Sequence, residues 1–132
     1  MNTRLKAFNL IEILVVLAII GILISVSAPI YNGIFGKAHA IEAKQHLQQL
    51  HGQQKAFRLE NFKYSENFED IKFEAGKSIL EQGTAKYEYS IVQANENTFL
   101  AKAEAVVDFD GDGIKNVWEI NQDGKLREVI AD

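Results

Sequence analysis

The chain of 132 residues has no cysteine, one proline, one tryptophan and one methionine. Without cysteine there can be no disulfide scaffold, thiol catalysis or thiolate-ligated zinc. The absence of cysteine does not determine the cellular compartment. Basic residues are a minority, with 14 against 18 acidic residues and a net charge of −4. The lysines beyond the N-terminal segment are interleaved with acidic residues, so we expect no nucleic acid as a main partner.

Catalytic motifs are missing as well. The chain contains no G-x-S-x-G, H-E-x-x-H or phosphate-binding glycine loop. His39, His46 and His51 are spaced too irregularly along one predicted helix to converge on a metal. We therefore predict that the protein is not an enzyme, has no catalytic residues and requires no cofactor.

One long apolar run dominates the N-terminal part. Residues 10–31 are apolar or small apart from Glu12 and a few uncharged polar side chains. At ~1.5 Å per residue a helix over this run is roughly 33 Å long, about the thickness of a hydrocarbon core. Arg4 and Lys6 precede it, which by the positive-inside rule places the N terminus in the cytoplasm. We predict a single inner-membrane span with the remaining chain outside.

Two simpler interpretations of the run are a cleaved signal peptide and a plain membrane anchor. Small-residue cleavage sites end at Ala28 and Ala40, but Pro29 would adjoin the first scissile bond, and Ala40 lies far beyond the apolar core. Glu12 argues against both interpretations, because a carboxylate within a span costs up to ~2.5–3.5 kcal/mol and neither function needs one.

The basic leader followed by residues 8–14 (FNLIEIL) and the apolar run resembles the N terminus of type IV prepilins and of the related type II secretion pseudopilins. The resemblance implies a leader of residues 1–7, cleavage between Ala7 and Phe8, and methylation of the new Phe8 amine. It also implies assembly roles for Glu12, the family's glutamate, and for Pro29. The chain departs from the family in having Ala7 where glycine is usual.

The function implied is that of a structural subunit of a type IV pilus. Residues 8–31 would polymerise as the filament core, giving an extracellular filament at the cell surface. The expected partners are identical or related pilin subunits, the inner membrane before assembly, prepilin peptidase and the pilus assembly machinery. The alternatives are a type II secretion pseudopilin and a membrane-anchored calcium-binding module; the stretch from Glu42 to Leu50 resembles pilin stems and favours the pilin.

Helical periodicity continues beyond the apolar run. Apolar residues recur along one predicted face of residues 32–60, namely Ile34, Ala38, Ile41, Leu47, Leu50 and Phe57. We therefore predict one nearly continuous helix from about Asn9 to about Glu60. Its apolar half would protrude, and its amphipathic half, the stem, would pack on a domain.

Residues 61–132 are predicted to form a globular head with a connector and a small sheet. Alternating apolar residues after Tyr87 and after Phe99 indicate strands, and Asp123-Gly124 indicates a hairpin turn between two more. The predicted fold class is α+β, with a long N-terminal helix packed on an antiparallel sheet of three to four strands.

An aspartate-rich segment separates two of the predicted strands. Asp108, Asp110, Asp112, Gly113 and Glu119 match the calcium-loop spacing D-x-D-x-D-G-x5-E. Carboxylates at alternate positions can wrap a calcium ion, while glycine permits the sharp turn. The flanking strands differ from the helices of an EF-hand, and a solvated acidic turn is the alternative. Asp108, Asp110, Asp112 and Glu119 are therefore candidate calcium ligands.

Overall fold

The structure is a computed structural model that describes residues 8–132, except for the side chains of residues 28–30 and 32. A single helix, α1, runs from Leu10 to Asn61 over 52 residues. It starts after Asn9, whose backbone N–H donates to the Glu12 carboxylate at 3.0 Å, and it ends at Phe62 in the left-handed conformation. The prediction of one nearly continuous helix is confirmed.

The head follows α1 with a connector that contains a short 3-10 helix, Ile79–Glu81. Four strands then form an antiparallel sheet in the order β1-β2-β3-β4. Their bounds are β1 Tyr87–Ala94, β2 Phe99–Ala105, β3 Val117–Asn121 and β4 Leu126–Ile130. The α+β class and the predicted antiparallel sheet of three to four strands are confirmed.

The core of the head forms where the stem lies across β2 and β3. Ala43, Leu47 and Leu50 are fully buried, and their spacing of four and three residues puts them on one helix face. The facing positions of β2 are Ala101, Ala103 and Ala105, which are at most 1% exposed. These small side chains let the helix approach the sheet closely, and larger residues such as Phe99 and Ile120 fill the remaining core.

The prediction of the buried face is wrong for the N-terminal part of the stem. Ile34 and Ile41 are 56% and 55% exposed, whereas Ala43 is fully buried. At 100° per residue, Ile34 and Ile41 lie well over 90° around the helix from Leu47, so the head covers a different face. Their stripe belongs to a second apolar surface, together with exposed Tyr31 and Phe35.

A buried glutamine fixes the start of the connector to the stem. Gln54 is fully buried, donates from Nε2 to the Ser65 carbonyl at 2.7 Å and accepts from the Ser65 N–H at 2.9 Å. The Ser65 hydroxyl in turn donates to Asp70 at 2.6 Å. Both backbone groups of a buried connector residue are thereby satisfied by one side chain of α1.

We expect Gln54→Leu to destabilise the chain by about 2–4 kcal/mol, because each backbone group left unpaired costs ~1–3 kcal/mol. Gln49→Leu is the matched control, since Gln49 is exposed on the same helix and should change stability by no more than ~0.5 kcal/mol. Denaturant unfolding of the full chain in detergent measures both. Equal stability of the two variants would show that the Gln54–Ser65 hydrogen bonds do not stabilise the chain.

Candidate functional site

The N-terminal half of α1 is a free-standing apolar surface. Residues Leu10–Ser27 are long and apolar enough to cross a membrane, and none of them is buried. The exposed stripe of Tyr31, Ile34, Phe35 and Ile41 extends this surface along the stem. The same helix thus carries a buried face in the head and an uncovered apolar surface below it.

The predicted processing and assembly residues lie at or near this span. Ala7 lies outside the described residues, and Phe8 is 80% exposed. The Glu12 carboxylate lies in the first turn of α1 and accepts the N–H of Asn9, the residue that follows Phe8. The helix continues through residue 29, but the Pro29 side chain is outside the described set.

Four carboxylates converge in the acidic loop between β2 and β3. Asp108, Asp110, Asp112 and Asp132 each offer an oxygen, and these oxygens all lie within 4.8 Å of one another. Asp132 arrives from beyond β4 and accepts the N–H groups of Phe109 and Asp110 at 3.0 and 3.2 Å. The structure therefore brings together the three predicted aspartates and adds a fourth.

Backbone amides fold the loop around its first aspartate. Asp108 accepts the N–H groups of Gly111 and Gly113, both at 2.6 Å. These glycines have φ of 87° and 89°, a conformation that side chains with Cβ resist. The two N–H groups, that of Gly113 first, lower the pKa of Asp108.

Asp110 experiences the opposite net effect. The N–H of Asp112 lowers its pKa, but desolvation and the carboxylates of Asp112, Asp132 and Asp108 outweigh that bond and raise the pKa overall. The raised pKa thus reflects desolvation first and then mutual repulsion of the converging carboxylates. A divalent cation among them would relieve this repulsion.

Glu119 does not belong to the cluster, which corrects the sequence-based ligand set. It lies in β3, paired in register with Lys102 and Arg127, and accepts from Arg127 Nη2 at 3.1 Å. Strand alternation turns it away from Trp118, whose ring packs under the Lys44 ammonium at 4.0 Å. The fourth carboxylate of the cluster is therefore Asp132 and not Glu119.

The loop is attached to both the stem and the sheet. The Phe109 ring stacks on His39 with centroids 5.5 Å apart and approaches Gly36 so closely that an added Cβ would lie 3.2 Å from its Cβ. On the other side, Asn116 is buried, accepts from the Tyr87 hydroxyl at 2.8 Å and donates to Glu128 at 2.8 Å. The loop is therefore held at both ends.

Sequence analysis missed Asp132, Asn116 and Phe109. Asp132 is separated from Asp112 by two strands, so only the β3–β4 hairpin brings it back. The signal for Phe109 was a large aromatic side chain inside an otherwise polar Asp/Gly-rich segment, which favours burial against another element.

Comparison with known proteins adds to this geometry. Residues 29–113 match the family described as "Type IV minor pilin ComP, DNA uptake sequence receptor". The chain is 30% identical over 128 residues to a fimbrial protein of Neisseria meningitidis, covering 96% of this chain and 73% of that protein. It is 38% identical over 72 residues to the type IV major pilin protein PilA of Myxococcus xanthus, covering 54% of this chain and 33% of that protein.

A long N-terminal helix with an uncovered apolar half, joined to a small α+β head, defines a filament-subunit class. The chain belongs to the type IV pilin family. Pilins are structural, non-enzymatic proteins, and the apolar helix fits their membrane-bound and extracellular states. The match spans one third of the Myxococcus protein and nearly three quarters of the Neisseria protein.

Proposed function

We propose that the chain is a type IV prepilin that is cleaved between Ala7 and Phe8, methylated at Phe8 and polymerised through the apolar half of α1 into an extracellular filament. The observation that carries the proposal is that none of residues Leu10–Ser27 is buried although the same helix completes the head core. At ~25 cal/mol per Å² this surface cannot remain in water, so it requires lipid before assembly and other subunits afterwards.

The basic charges before the span support an inner-membrane precursor. Arg4 and Lys6 precede the apolar run, which favours a cytoplasmic N terminus and an external head. Prepilin peptidase and the pilus assembly machinery are the expected partners on that route. The two relatives carry the names of a fimbrial protein and a major pilin, which supports a pilus over a secretion pseudopilus.

The matched family's description names a DNA uptake sequence receptor. For this chain we propose no nucleic acid as a main role. Of its 14 basic residues two, Arg4 and Lys6, belong to the leader, and 12 remain against 18 acidic residues. Such a balance gives little of the phosphate neutralisation on which DNA affinity depends.

The first test is the mature N terminus. Intact-mass analysis of filament or membrane-extracted protein should show loss of residues 1–7 and one added methyl group on Phe8. Ala7→Gly, which restores the family's usual residue, should be processed at least as completely. An N terminus at residue 29 or 41 would instead establish signal-peptide cleavage and refute the pilin route.

The second test concerns Glu12. We propose that its carboxylate pairs with the Phe8 amine of a neighbouring subunit, so that both charges are neutralised in the apolar filament core. In the precursor the carboxylate already caps the Asn9 N–H at 3.0 Å, one residue from Phe8. In low dielectric the attraction is strong, although desolvation offsets part of it.

Glu12→Ala should leave membrane insertion intact yet lower filament yield at least about tenfold, because removing one partner of a buried pair costs ~3–5 kcal/mol. Ile11→Ala is the control for lost apolar surface, and Glu12→Asp keeps the charge. Sheared-filament yield and electron microscopy measure assembly. Wild-type yield from Glu12→Ala would show that the carboxylate is dispensable.

We also propose that the acidic loop is a low-affinity calcium site. The four carboxylates converge within 4.8 Å, and three of them keep the calcium-loop spacing. Extracellular modules bind at ~10⁻⁴–10⁻³ M, so the site would fill outside the cell. Binding at tenfold excess over Kd would stabilise the head by about 1.4 kcal/mol.

Calcium should therefore raise the melting temperature of the full chain in detergent relative to chelator. Asp110→Asn should raise stability without calcium, because it relieves repulsion at a carboxylate whose pKa is raised, and it should diminish the calcium response. Glu119→Gln is the control and should keep the full response, since Glu119 faces Arg127. An unchanged wild-type melting temperature would leave the loop a plain acidic turn.

A further inference from the structure

The end of α1 carries an aromatic residue in a place that favours glycine. Phe62 has φ 59° and ψ 17°, and its N–H donates to the Arg58 carbonyl at 2.8 Å. This left-handed cap position is usually glycine, and a bulky residue with positive φ is strained there. Phe62 is also 82% exposed, so its ring gains no burial within the subunit.

A second apolar side chain stands beside it. Leu59, three residues earlier, is likewise 82% exposed and lies beside Phe62 on the same surface. Lys55 and Arg58 flank the pair around a shallow depression of about 360 Å³. Lys55, Arg58, Leu59 and Phe62 are called the cationic tip below.

Arg58 is held in place within the tip. Its Nε donates to the Glu96 carbonyl at 3.0 Å, and its guanidinium lies 5.2 Å from the centre of the Tyr64 ring. The tip is thus an ordered surface with positive charge beside uncovered apolar area. The strained backbone of Phe62 and the exposed side chains of Leu59 and Phe62 serve no contact within the subunit, which indicates a contact with another molecule.

A complementary surface lies beside the start of β1. It is a cleft of about 620 Å³ whose walls include the aromatic rings of Phe68, Phe73 and Tyr89. Phe73 contacts Phe68 and Tyr89 with ring centroids 5.2 and 5.7 Å apart. These rings give the cleft a preformed apolar floor.

Three carboxylates, Glu74, Glu81 and Glu88, surround those rings. Glu88 accepts from the buried Ser78 hydroxyl at 2.7 Å. Among the described residues, no ion pair engages any of the three glutamates. The walls and rim together are called the acidic cleft below.

We propose that the cationic tip of one subunit inserts into the acidic cleft of the next subunit in the filament, an inference that rests on the polymerisation proposed above. Charge sign and apolar character match between the two surfaces. Within one subunit part of the cleft is far from the tip: Tyr89 in the cleft bonds His46 at 2.8 Å, and His46 lies roughly 24 Å from Phe62 along the helix.

The geometry of this contact suits a filament. Tip and cleft are different surfaces of the same chain, so their pairing is heterologous, and an open chain of subunits keeps one free tip at one end and one free cleft at the other. A self-complementary patch would close after two subunits. The contact thus extends assembly in one direction instead of ending it.

Cysteine cross-linking tests the contact directly, because the natural chain has no cysteine. Lys55→Cys combined with Glu81→Cys, and separately with Glu74→Cys, places one thiol at the tip and one at the cleft while keeping Leu59 and Phe62. Oxidised filaments of at least one pair should give a ladder of multimers on a non-reducing gel. Lys55→Cys with Leu80→Cys is the matched control, since Leu80 is 68% exposed beside Glu81 but outside the cleft.

Phe62→Gly separates assembly from folding. Glycine relieves the left-handed strain, so the melting temperature of the full chain should be unchanged or higher, whereas filament yield and the cross-linked ladder should fall several-fold. Lys55→Glu should also lower yield, and Glu81→Lys in the same chain should restore it, which a folding defect would not do. Lys125→Glu, an exposed lysine of the β3–β4 turn, should have no effect.

The outcomes distinguish this inference from the function on which it rests. Wild-type cells without filaments would overturn both. Normal filaments without a ladder from either cysteine pair, or with a ladder that stops at the dimer, would overturn the tip-to-cleft contact alone. Wild-type filament yield from Phe62→Gly would overturn it as well.

Discussion

The packing of Ala43, Leu47 and Leu50 against the alanine-lined face of β2 joins a small head to a helix that extends far beyond it. The head segment after α1 is short for burying a core by itself, and the stem supplies the missing apolar face. The helix, at about 78 Å over its 52 residues, is much longer than that contact requires. One element is therefore needed for folding at one end and lacks cover at the other.

This division lets the chain change its surroundings without refolding. None of residues Leu10–Ser27 is buried, so exchanging lipid for neighbouring helices around them breaks no contact within the head. Close approach in the head depends on small residues, Ala101 and Ala103 in β2 and Gly36 against Phe109. The head can thus stay intact during the proposed transfer from membrane to filament.

Sequence periodicity was sufficient to predict the elements whose extent depends on local pattern alone. The extent of α1, the four strands and the Asp123-Gly124 turn followed from local pattern. The covered face of the stem did not, because Ile34 and Ile41 are as apolar as Leu47, and only the placement of the sheet decides which face is buried. Likewise Glu119 fitted the ligand spacing, but strand alternation points it toward Arg127, while Asp132 enters through a tertiary contact that no local pattern contains.

Apolar burial is non-directional, so a core of helices like residues Leu10–Ser27 can slide or rotate at little cost. The register of neighbouring subunits in the proposed filament must then come from groups whose misalignment raises the free energy of the filament. Glu12 would provide one such constraint, since a buried carboxylate without its partner is costly. The cationic tip and acidic cleft, separated along the helix axis, would provide a second, because matching charges discriminate against displaced contacts. On this view, Phe62 keeps its strained conformation because a glycine that stabilises the isolated subunit would weaken the contact that orients the next one.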